Sequence, residues 1–151
     1  MSDPGPERWQ KLVNKLIVAL YKVGLPLGPV VVLMVPGRTS GQPRRTPITP
    51  FQLDGNLYAI EGYPATDWAR NARAAGTGTL SRGRRSRLVK IVALSPDEAR
   101  PVMRAWPSKV AAAVSLSKKA GLVQNGTPDE FEALAGRLSV FRLDPIPGQR
   151  R

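Results

Sequence analysis

The chain of 151 residues has the length of one domain, and its 23 Lys and Arg against 11 Asp and Glu give a net charge of +12. It contains no Cys and no His, which excludes disulfides, the usual zinc sites, thiol nucleophiles and Ser-His-acid triads. Chemistry would have to come from other side chains or from a bound cofactor, and the charge predicts an anionic partner: a phosphorylated cofactor, a nucleic acid or an anionic membrane.

Residues 1–26 are predicted to form an amphipathic helix. Apolar side chains from Trp9 to Val23 recur at helical spacing, and Lys and Arg side chains occupy the other side. Two interpretations stay open: the apolar stripe packs on the core, or the basic helix lies on anionic lipid. The sequence starts without a secretory signal, and no apolar run approaches the roughly 20 residues of a membrane-spanning helix. We therefore expect a cytoplasmic protein, either soluble or peripheral to the inner face of the membrane.

The next segment is predicted to be rich in antiparallel strands. A continuous apolar run predicts a buried strand at residues 30–34, and residues 37–47 follow as a basic connection punctuated by Gly and Pro. Strand character resumes at residues 48–53. The Asp54-Gly55-Asn56 sequence is a tight hairpin signal, and residues 57–60 form the returning strand.

A capped helix and a second hairpin are predicted to follow. Thr66 is placed to cap a helix over Asp67–Ala75 that ends at Gly76. Two strands, at residues 78–81 and 87–94, then flank a basic turn.

The segment after this hairpin is predicted to be helical. Ser95-Pro96-Asp97-Glu98 is a capping box with Pro at the first helical position. The helix that it opens is expected to bend or break near Pro101 or Pro107, because proline lacks the N–H of the helical hydrogen bond. Helix is expected to continue over residues 109–120.

The last elements complete the predicted domain, which spans residues 27–146. A second capping box at residues 127–130 precedes a helix over residues 131–137, and residues 138–143 alternate like a final strand. Residues 147–151 are expected to be a loose basic tail. The element order predicts an α+β fold, a small and mostly antiparallel barrel with an N-terminal amphipathic helix and C-terminal helices.

The basic connection has the composition of a phosphate site. Its sequence, GRTSGQPRRTP at residues 37–47, combines three Arg, three hydroxyl side chains and two Gly. Arginine forks, hydroxyls and closely approaching backbone N–H groups all suit phosphate oxygens. A solvated basic hairpin is the alternative interpretation. A Rossmann site is not expected, because Gly76-Thr77-Gly78 follows a helix and not a strand.

GRTSGQPRRTP, followed by a strand, DG, another strand and DWARN, resembles the deazaflavin (F420)-dependent nitroreductase family. The resemblance covers roughly residues 30–80. It implies an FMN-binding split β-barrel that binds coenzyme F420, whose phosphate and oligoglutamate tail are anionic. It also implies hydride transfer from reduced F420 to a quinone, nitroaromatic or enone-type acceptor, and a homodimer, since split barrels often dimerise.

The resemblance also implies where the cofactor binds. Arg44 is the first candidate for its phosphate, and the segment of residues 60–63 would line the deazaflavin. Trp68 would pack beside the pocket and Asn71 would join its polar lining, although a core role for Trp68 stays open. The complete set of implied cofactor residues is Arg38, Thr39, Ser40, Arg44, Arg45, Thr46, Pro47, Ile48, Thr49, Ile60, Glu61, Gly62, Tyr63, Asp67, Trp68, Ala69, Arg70 and Asn71.

Several positions depart from the family pattern. Glu61-Gly62-Tyr63-Pro64 stands where many relatives carry a Ser-Lys or Gly-Gly element, and Thr49 and Ala69 stand where aromatic residues are common. Lys109 is the nearest match to a substrate-pocket Tyr of the best-known branch. No catalytic residue can be assigned and no metal is expected.

Alternatives to F420 chemistry stay open at this point. FMN, or no cofactor at all, is compatible with the same barrel, and so is a non-catalytic protein that binds lipid, fatty acid or a membrane surface. The basic run at residues 82–87, RGRRSR, is interpreted as a solvated turn, an electrostatic funnel for the glutamate tail, or a contact for anionic lipid or nucleic acid. Nucleic acid is not an expected partner, because aromatic residues are not interleaved with these arginines.

Overall fold

The computed structural model describes residues 31–150, and the predicted N-terminal helix lies outside them. Seven strands and four helices follow one another in the described part. In chain order they are β1 (Val31–Pro36), β2 (Pro43–Ile48), β3 (Phe51–Leu53), β4 (Asn56–Ile60), α1 (Asp67–Ala75), β5 (Thr77–Arg82), β6 (Arg85–Ala93), α2 (Pro96–Lys109), α3 (Ala112–Lys119), α4 (Pro128–Glu132) and β7 (Val140–Arg150).

The strands form a single antiparallel sheet in the order β2-β1-β5-β6-β7-β4-β3. The edge strands β2 and β3 are consecutive in the chain and are joined only by Thr49 and Pro50. The sheet must therefore curl until its edges approach each other. Strands and helices on such a sheet confirm the predicted α+β, mostly antiparallel architecture.

Two apolar cores lie on the two faces of the sheet. Phe141 belongs to the first core and its neighbour Val140 to the second, as the alternation of side chains along a strand requires. The first core is covered by Ala69 and Ala72 of α1, which pack on strand residues such as Leu33. The second core is built mainly from α2, α3 and α4, whose buried side chains include Met103, Trp106 and Phe131.

Local signals placed the turns and α1 correctly. Asp54 and Gly55 both have positive φ angles, 52° and 82°, which identifies the two-residue turn that joins β3 and β4. Thr66 Oγ1 accepts a hydrogen bond of 3.4 Å from the Ala69 N–H at the start of α1, and Gly76 ends the helix with a φ of 72°. The predicted β5–β6 hairpin is also confirmed.

The connection predicted at residues 37–47 is shorter than expected, because it ends where β2 begins. All six residues of β2 pair with β1, from Ile48 opposite Val31 to Pro43 opposite Pro36. The prolines that suggested a loop are tolerated because β2 is an edge strand. The strand predicted at residues 48–53 is divided in two, because the chain passes from one edge of the sheet to the other at Thr49 and Pro50.

The break predicted near Pro101 is not found, whereas the helix does end at Lys109, two residues after Pro107. α2 runs from Pro96 to Lys109 through both prolines. Its buried side chains, among them Met103 and Trp106, pack in the second core, and this packing outweighs the lost backbone bonds.

The remaining boundaries differ by a few residues. The predicted helix at 109–120 is α3, which begins only at Ala112 because Val110 is extended. The predicted helix at 131–137 is the shorter α4, which starts directly after its cap Thr127. β7 reaches Arg150 by pairing with β6, where the sequence suggested a loose tail from residue 147.

Replacing Gly78 with alanine should destabilise the fold. A β-carbon at Gly78 would lie 2.9 Å from Val35 Cγ1 and 3.0 Å from the Met34 carbonyl oxygen. We expect Gly78→Ala to lower the free energy of unfolding by about 1–3 kcal/mol, the usual cost of overpacking, in a urea titration. Gly62→Ala is the matched control, because a β-carbon there meets nothing within 4 Å. Equal stability of the two variants would contradict this account of strand packing.

Acid should weaken the segment that leads into α4. The backbone N–H groups of Gln124, first, and Thr127 donate to the Glu130 carboxylate and lower its pKa from 4.5 to about 2. A carboxyl whose pKa is lowered by folding stabilises the native state above the unfolded pKa, and this contribution is lost as the pH falls from 4.5 towards 2. We expect Glu130→Gln to flatten the loss of stability measured by urea unfolding across this window. An unchanged acid dependence would refute the assignment.

Candidate functional site

The loop between β1 and β2 is closed by its own hydrogen bonds. The Gly37 N–H donates to the Gln42 carbonyl at 2.8 Å, and the Gly41 N–H donates to the Gly37 carbonyl at 2.9 Å. Ser40 Oγ accepts from the Gln42 N–H at 3.2 Å. Gly41 has a φ of 72°, a conformation that favours glycine. This short basic loop therefore has a defined backbone shape, and we call residues 37–42 the Arg38 loop.

Arg38 fastens the Arg38 loop to α1. Asn71 Oδ1 accepts two hydrogen bonds from Arg38, at 3.1 Å from the backbone N–H and at 2.7 Å from Nη1. Arg38 Nη2 also donates to Asp67 Oδ1 at 3.4 Å. The Asp67 side chain is exposed, so solvent screens this ion pair and the buried Asn71 makes the stronger contact. Two segments 33 residues apart in sequence thus form one surface.

The amide of Asn71 is oriented by these bonds. Both Arg38 donors point at Oδ1, so the amide nitrogen Nδ2 faces elsewhere. Among residues 31–150, no acceptor contacts Nδ2. Asn71 is almost completely buried, at 6% exposure, so Nδ2 is a fixed donor without a hydrogen-bond partner in this part of the chain.

Arg44 and Ser40 approach the same point of the Arg38 loop. A β-carbon placed on Gly37 would lie 3.0 Å from Ser40 Oγ and 3.2 Å from Arg44 Nε. A residue with a β-carbon at position 37 would require these side chains to shift by a few tenths of an ångström. A guanidinium, a hydroxyl and the backbone of the loop are therefore concentrated in a small volume, which is a donor set suited to an anionic oxygen.

The register of β2 separates the two neighbouring arginines. Arg44 pairs with Val35, a residue of the first core, so its side chain leaves the sheet on the face that α1 covers. Arg45 pairs with Met34 and projects from the opposite face. Of these two neighbouring arginines, only Arg44 lies on the face of the sheet that α1 covers.

Glu61 lies at the end of β4 and is buried, at 2% exposure. Glu61 Oε2 accepts from the Thr66 N–H and from Thr66 Oγ1, both at 2.7 Å, and Oε1 accepts from the Ser139 N–H at 2.9 Å. The Glu61 N–H in turn donates to the Ser139 carbonyl. Sequence reasoning missed Ser139, because its partner Glu61 is 78 residues away and the contact runs through the backbone.

Trp68 is part of α1 and packs on the first core. It is partly buried, with its ring centroid 5.6 Å from that of Phe141. The Arg73 guanidinium lies 5.8 Å from the centroid of the same Phe141 ring, and Arg73 Nη2 donates to Ser139 Oγ at 3.0 Å. The core role left open for Trp68 is thus consistent with its packing.

The other predicted cofactor residues differ in accessibility, and Lys109 lies apart from them. Lys109 is exposed at the end of α2, a helix whose buried side chains belong to the second core. Ile48 and Ala69 are buried in the first core. Exposed positions are Arg38, Thr39, Ser40, Arg44, Arg45, Asp67 and Arg70, and half-buried positions are Thr46, Pro47, Thr49, Ile60, Gly62 and Tyr63.

Positive charge is concentrated in the strand region. Residues 36–94 contain ten Lys and Arg but only three Asp and Glu. Of the three carboxylates, Glu61 is occupied by backbone and hydroxyl donors and Asp67 is paired with Arg38. Within residues 31–150, the following arginines form no ion pair: Arg44, Arg45, Arg84, Arg85 and Arg87.

Neither a metal-binding group of side chains nor a membrane-spanning helix is found in the described part of the chain. No three acidic side chains there come together in a group that could hold a metal ion. None of the helices in residues 31–150 combines the length and apolar character that a bilayer crossing demands.

No protein-family profile and no curated protein matches the sequence. Solved structures do match. A pyridoxamine 5'-phosphate oxidase-related, FMN-binding protein from Nostoc punctiforme has 16% identity and a TM-score of 0.56, with 94% of this chain and 81% of that chain covered. An F420-H2 dependent reductase has 16% identity and a TM-score of 0.53, with 77% and 94% covered. A chain described as a domain-swapped dimer has 15% identity and a TM-score of 0.55, with 93% and 100% covered.

The chain has the FMN-binding split-barrel fold. The fold implied by the sequence resemblance is therefore confirmed. Identities of 15–16% establish the fold alone, because a single fold can carry unrelated functions.

Removing the acceptor at residue 71 should loosen the Arg38 loop. Asn71→Leu removes the acceptor of both Arg38 donors, and a typical intramolecular hydrogen bond contributes about 0.5–1.5 kcal/mol. We expect faster amide hydrogen exchange at residues 37–42 in this variant. Asn71→Asp keeps an acceptor oxygen and should retain slow exchange, so equal exchange in both variants would contradict the proposed link.

Proposed function

We propose that this chain binds coenzyme F420 and acts as an oxidoreductase that passes hydride to a quinone, nitroaromatic or enone-type acceptor. The observation that carries the proposal is the hydrogen bonding of Arg38 to Asn71. It joins the two segments of sequence on which the family resemblance depends, GRTSG and DWARN, into one donor-rich surface. The F420-H2 dependent reductase of the same fold supports the choice of cofactor.

The available donors fit an anionic group of the cofactor. Arg44 and Ser40 meet beside Gly37, and neither Arg44 nor Ser40 has a carboxylate partner within residues 31–150. We assign the phosphate to these two residues and the backbone of the Arg38 loop. Asn71 Nδ2 supplies a further donor, and we assign the wall formed by Ile60, Gly62, Tyr63 and Trp68 to the deazaflavin ring.

In this proposal, the chain's own residues bind the cofactor and orient it. The bound F420 would supply the hydride, so the protein needs no general base for the transfer itself. Arg38 and Arg44 neutralise negative charge, while the buried Ala69 and the half-buried Trp68 limit the access of water to the ring. Lys109, on the other side of the sheet, is not given a role in this mechanism.

FMN is the second candidate cofactor, because one matched structure of this fold is an FMN-binding protein. FMN also carries a phosphate, so the same donors would hold it. A homodimer is part of the proposal and is supported by the matched domain-swapped dimer. The lipid- or fatty-acid-binding alternative rests on the departures at Thr49, Tyr63 and Ala69, whereas the membrane-surface alternative depends on the predicted N-terminal helix, which lies outside the described residues.

Titration with F420 tests the assignment directly. We expect the purified full chain to change the fluorescence or absorbance of F420 at micromolar concentration, and a parallel titration with FMN to give weaker binding. Folded protein that binds neither cofactor would refute the proposed function, and preference for FMN would replace F420 with the second candidate.

Two arginine variants serve to locate the phosphate. Arg44→Ala should weaken F420 binding about tenfold or more, since a hydrogen bond to a charged group contributes about 1.5–3 kcal/mol. Arg84→Ala removes the same charge from the exposed β5–β6 turn and should change binding much less. The reverse order of effects would contradict the placement of the phosphate at the Arg38 loop.

A further inference from the structure

The Glu61 carboxylate accepts three hydrogen bonds from protein donors, of the roughly four that a carboxylate can accept. Thr66 contributes a backbone N–H and a hydroxyl to Oε2, and Ser139 contributes a backbone N–H to Oε1. At 2% exposure, the carboxylate has little surface with which to contact a ligand. Burying a charged group is unfavourable unless hydrogen bonds compensate it, so this arrangement is costly to disturb.

These bonds act on the first turn of α1. Thr66 is the N-cap of that helix, and its hydroxyl both donates to Glu61 and accepts from the Ala69 N–H. The carboxylate therefore fixes the rotamer of the capping side chain and the position of its backbone. Ser139, just before β7, anchors the other side of the carboxylate to the sheet.

The same bonds close a strained turn. Between Glu61 and Thr66 the chain passes through Ala65, which has a φ of 61°, a conformation that residues with a β-carbon rarely adopt. Such backbone strain persists where the surrounding contacts over-determine the conformation. The two bonds from Thr66 to Glu61 span this turn and hold it shut.

We propose that Glu61 is a positioning residue for the Arg38 loop and that it acts through α1. Its carboxylate fixes the N-terminal end of α1, the rigid helix carries Asn71 one turn further on, and Asn71 fixes Arg38. Glu61 thus sets the geometry of the anion site without touching the anion. The identity of that anion rests on the proposed function, whereas the coupling of Glu61 to the loop does not.

The test compares two glutamates that accept backbone N–H groups. Glu61→Gln places an amide NH₂ against one of the N–H donors, and Glu130→Gln makes the same change in the segment that leads into α4. Both variants should lose stability. Only Glu61→Gln should speed amide exchange at residues 37–42 and in α1, measured on full-length protein without cofactor.

Cofactor binding provides the second measurement. We expect Glu61→Gln to raise the Kd for F420, and its KM in turnover, about tenfold, which corresponds to about 1.4 kcal/mol, with kcat nearly unchanged. Glu130→Gln should leave both constants at wild-type values. A general loss of folding would affect both variants, so the difference between them isolates positioning from stability.

A second pair of variants tests the link at Thr66. Thr66→Val removes the hydroxyl that contacts Glu61 and Ala69, and should reproduce the effects of Glu61→Gln on exchange and binding. Thr66→Ser keeps the hydroxyl and should restore wild-type behaviour. The double variant Glu61→Gln/Thr66→Val should not add the two effects, because both break one connection.

The outcomes separate this inference from the proposed function. If wild-type protein binds no F420 but Glu61→Gln still speeds exchange in the Arg38 loop, the coupling holds and the cofactor assignment fails. If wild-type protein binds F420 and Glu61→Gln matches Glu130→Gln in exchange and in Kd, the positioning role is overturned while the cofactor assignment holds.

Discussion

The link between the two edge strands governs the shape of this molecule. A flat sheet of seven strands would hold its edges about 29 Å apart, from a spacing of about 4.8 Å between neighbours. The three Cα steps from Ile48 to Phe51 can reach only about 11 Å. The sheet must therefore close on itself almost into a barrel, and the two apolar cores, the cover that α1 forms, and the meeting of the Arg38 loop with α1 all follow from that curvature.

The elements that the sequence predicted well are those that local chemistry determines. The cap at Thr66, the stop at Gly76 and the Asp54-Gly55 turn each depend on neighbours within a few residues, and each lies where the pattern placed it. β2 was misjudged because arginine and proline at an edge strand look like a loop until β1 pairs with them. The continuity of α2 was missed for a related reason, because its stability comes from the second core.

The residues of the candidate site also fall into those that the local sequence predicts and those that it does not. The phosphate site proposed here was suggested by the arginine, serine and glycine content of residues 37–47, and Asn71 entered through the resemblance. The contact of Arg38 with Asn71 and the burial of Glu61 depend on partners distant in sequence, and no local pattern indicates them. The separation of Arg44 from Arg45 needed the strand register, since adjacent residues of a strand project from opposite faces. Charge is unevenly distributed, because Asp97, Asp129 and Glu132 pair with arginines of α2, whereas residues 36–94 hold ten Lys and Arg against three Asp and Glu.

The edge strand β2 also determines whether another chain can pair with this edge of the sheet. Because the Gly37 N–H donates to the Gln42 carbonyl, the backbone N–H and C=O groups of every second residue of β2 face β1. The backbone groups of Pro43, Arg45 and Pro47 therefore face outwards. Pro43 and Pro47 have no backbone N–H to donate, and the Arg45 side chain carries a positive charge. The prolines that made β2 resemble a loop in the sequence therefore also block the addition of another strand at this edge. Such strand addition is the usual route to amyloid-like aggregation.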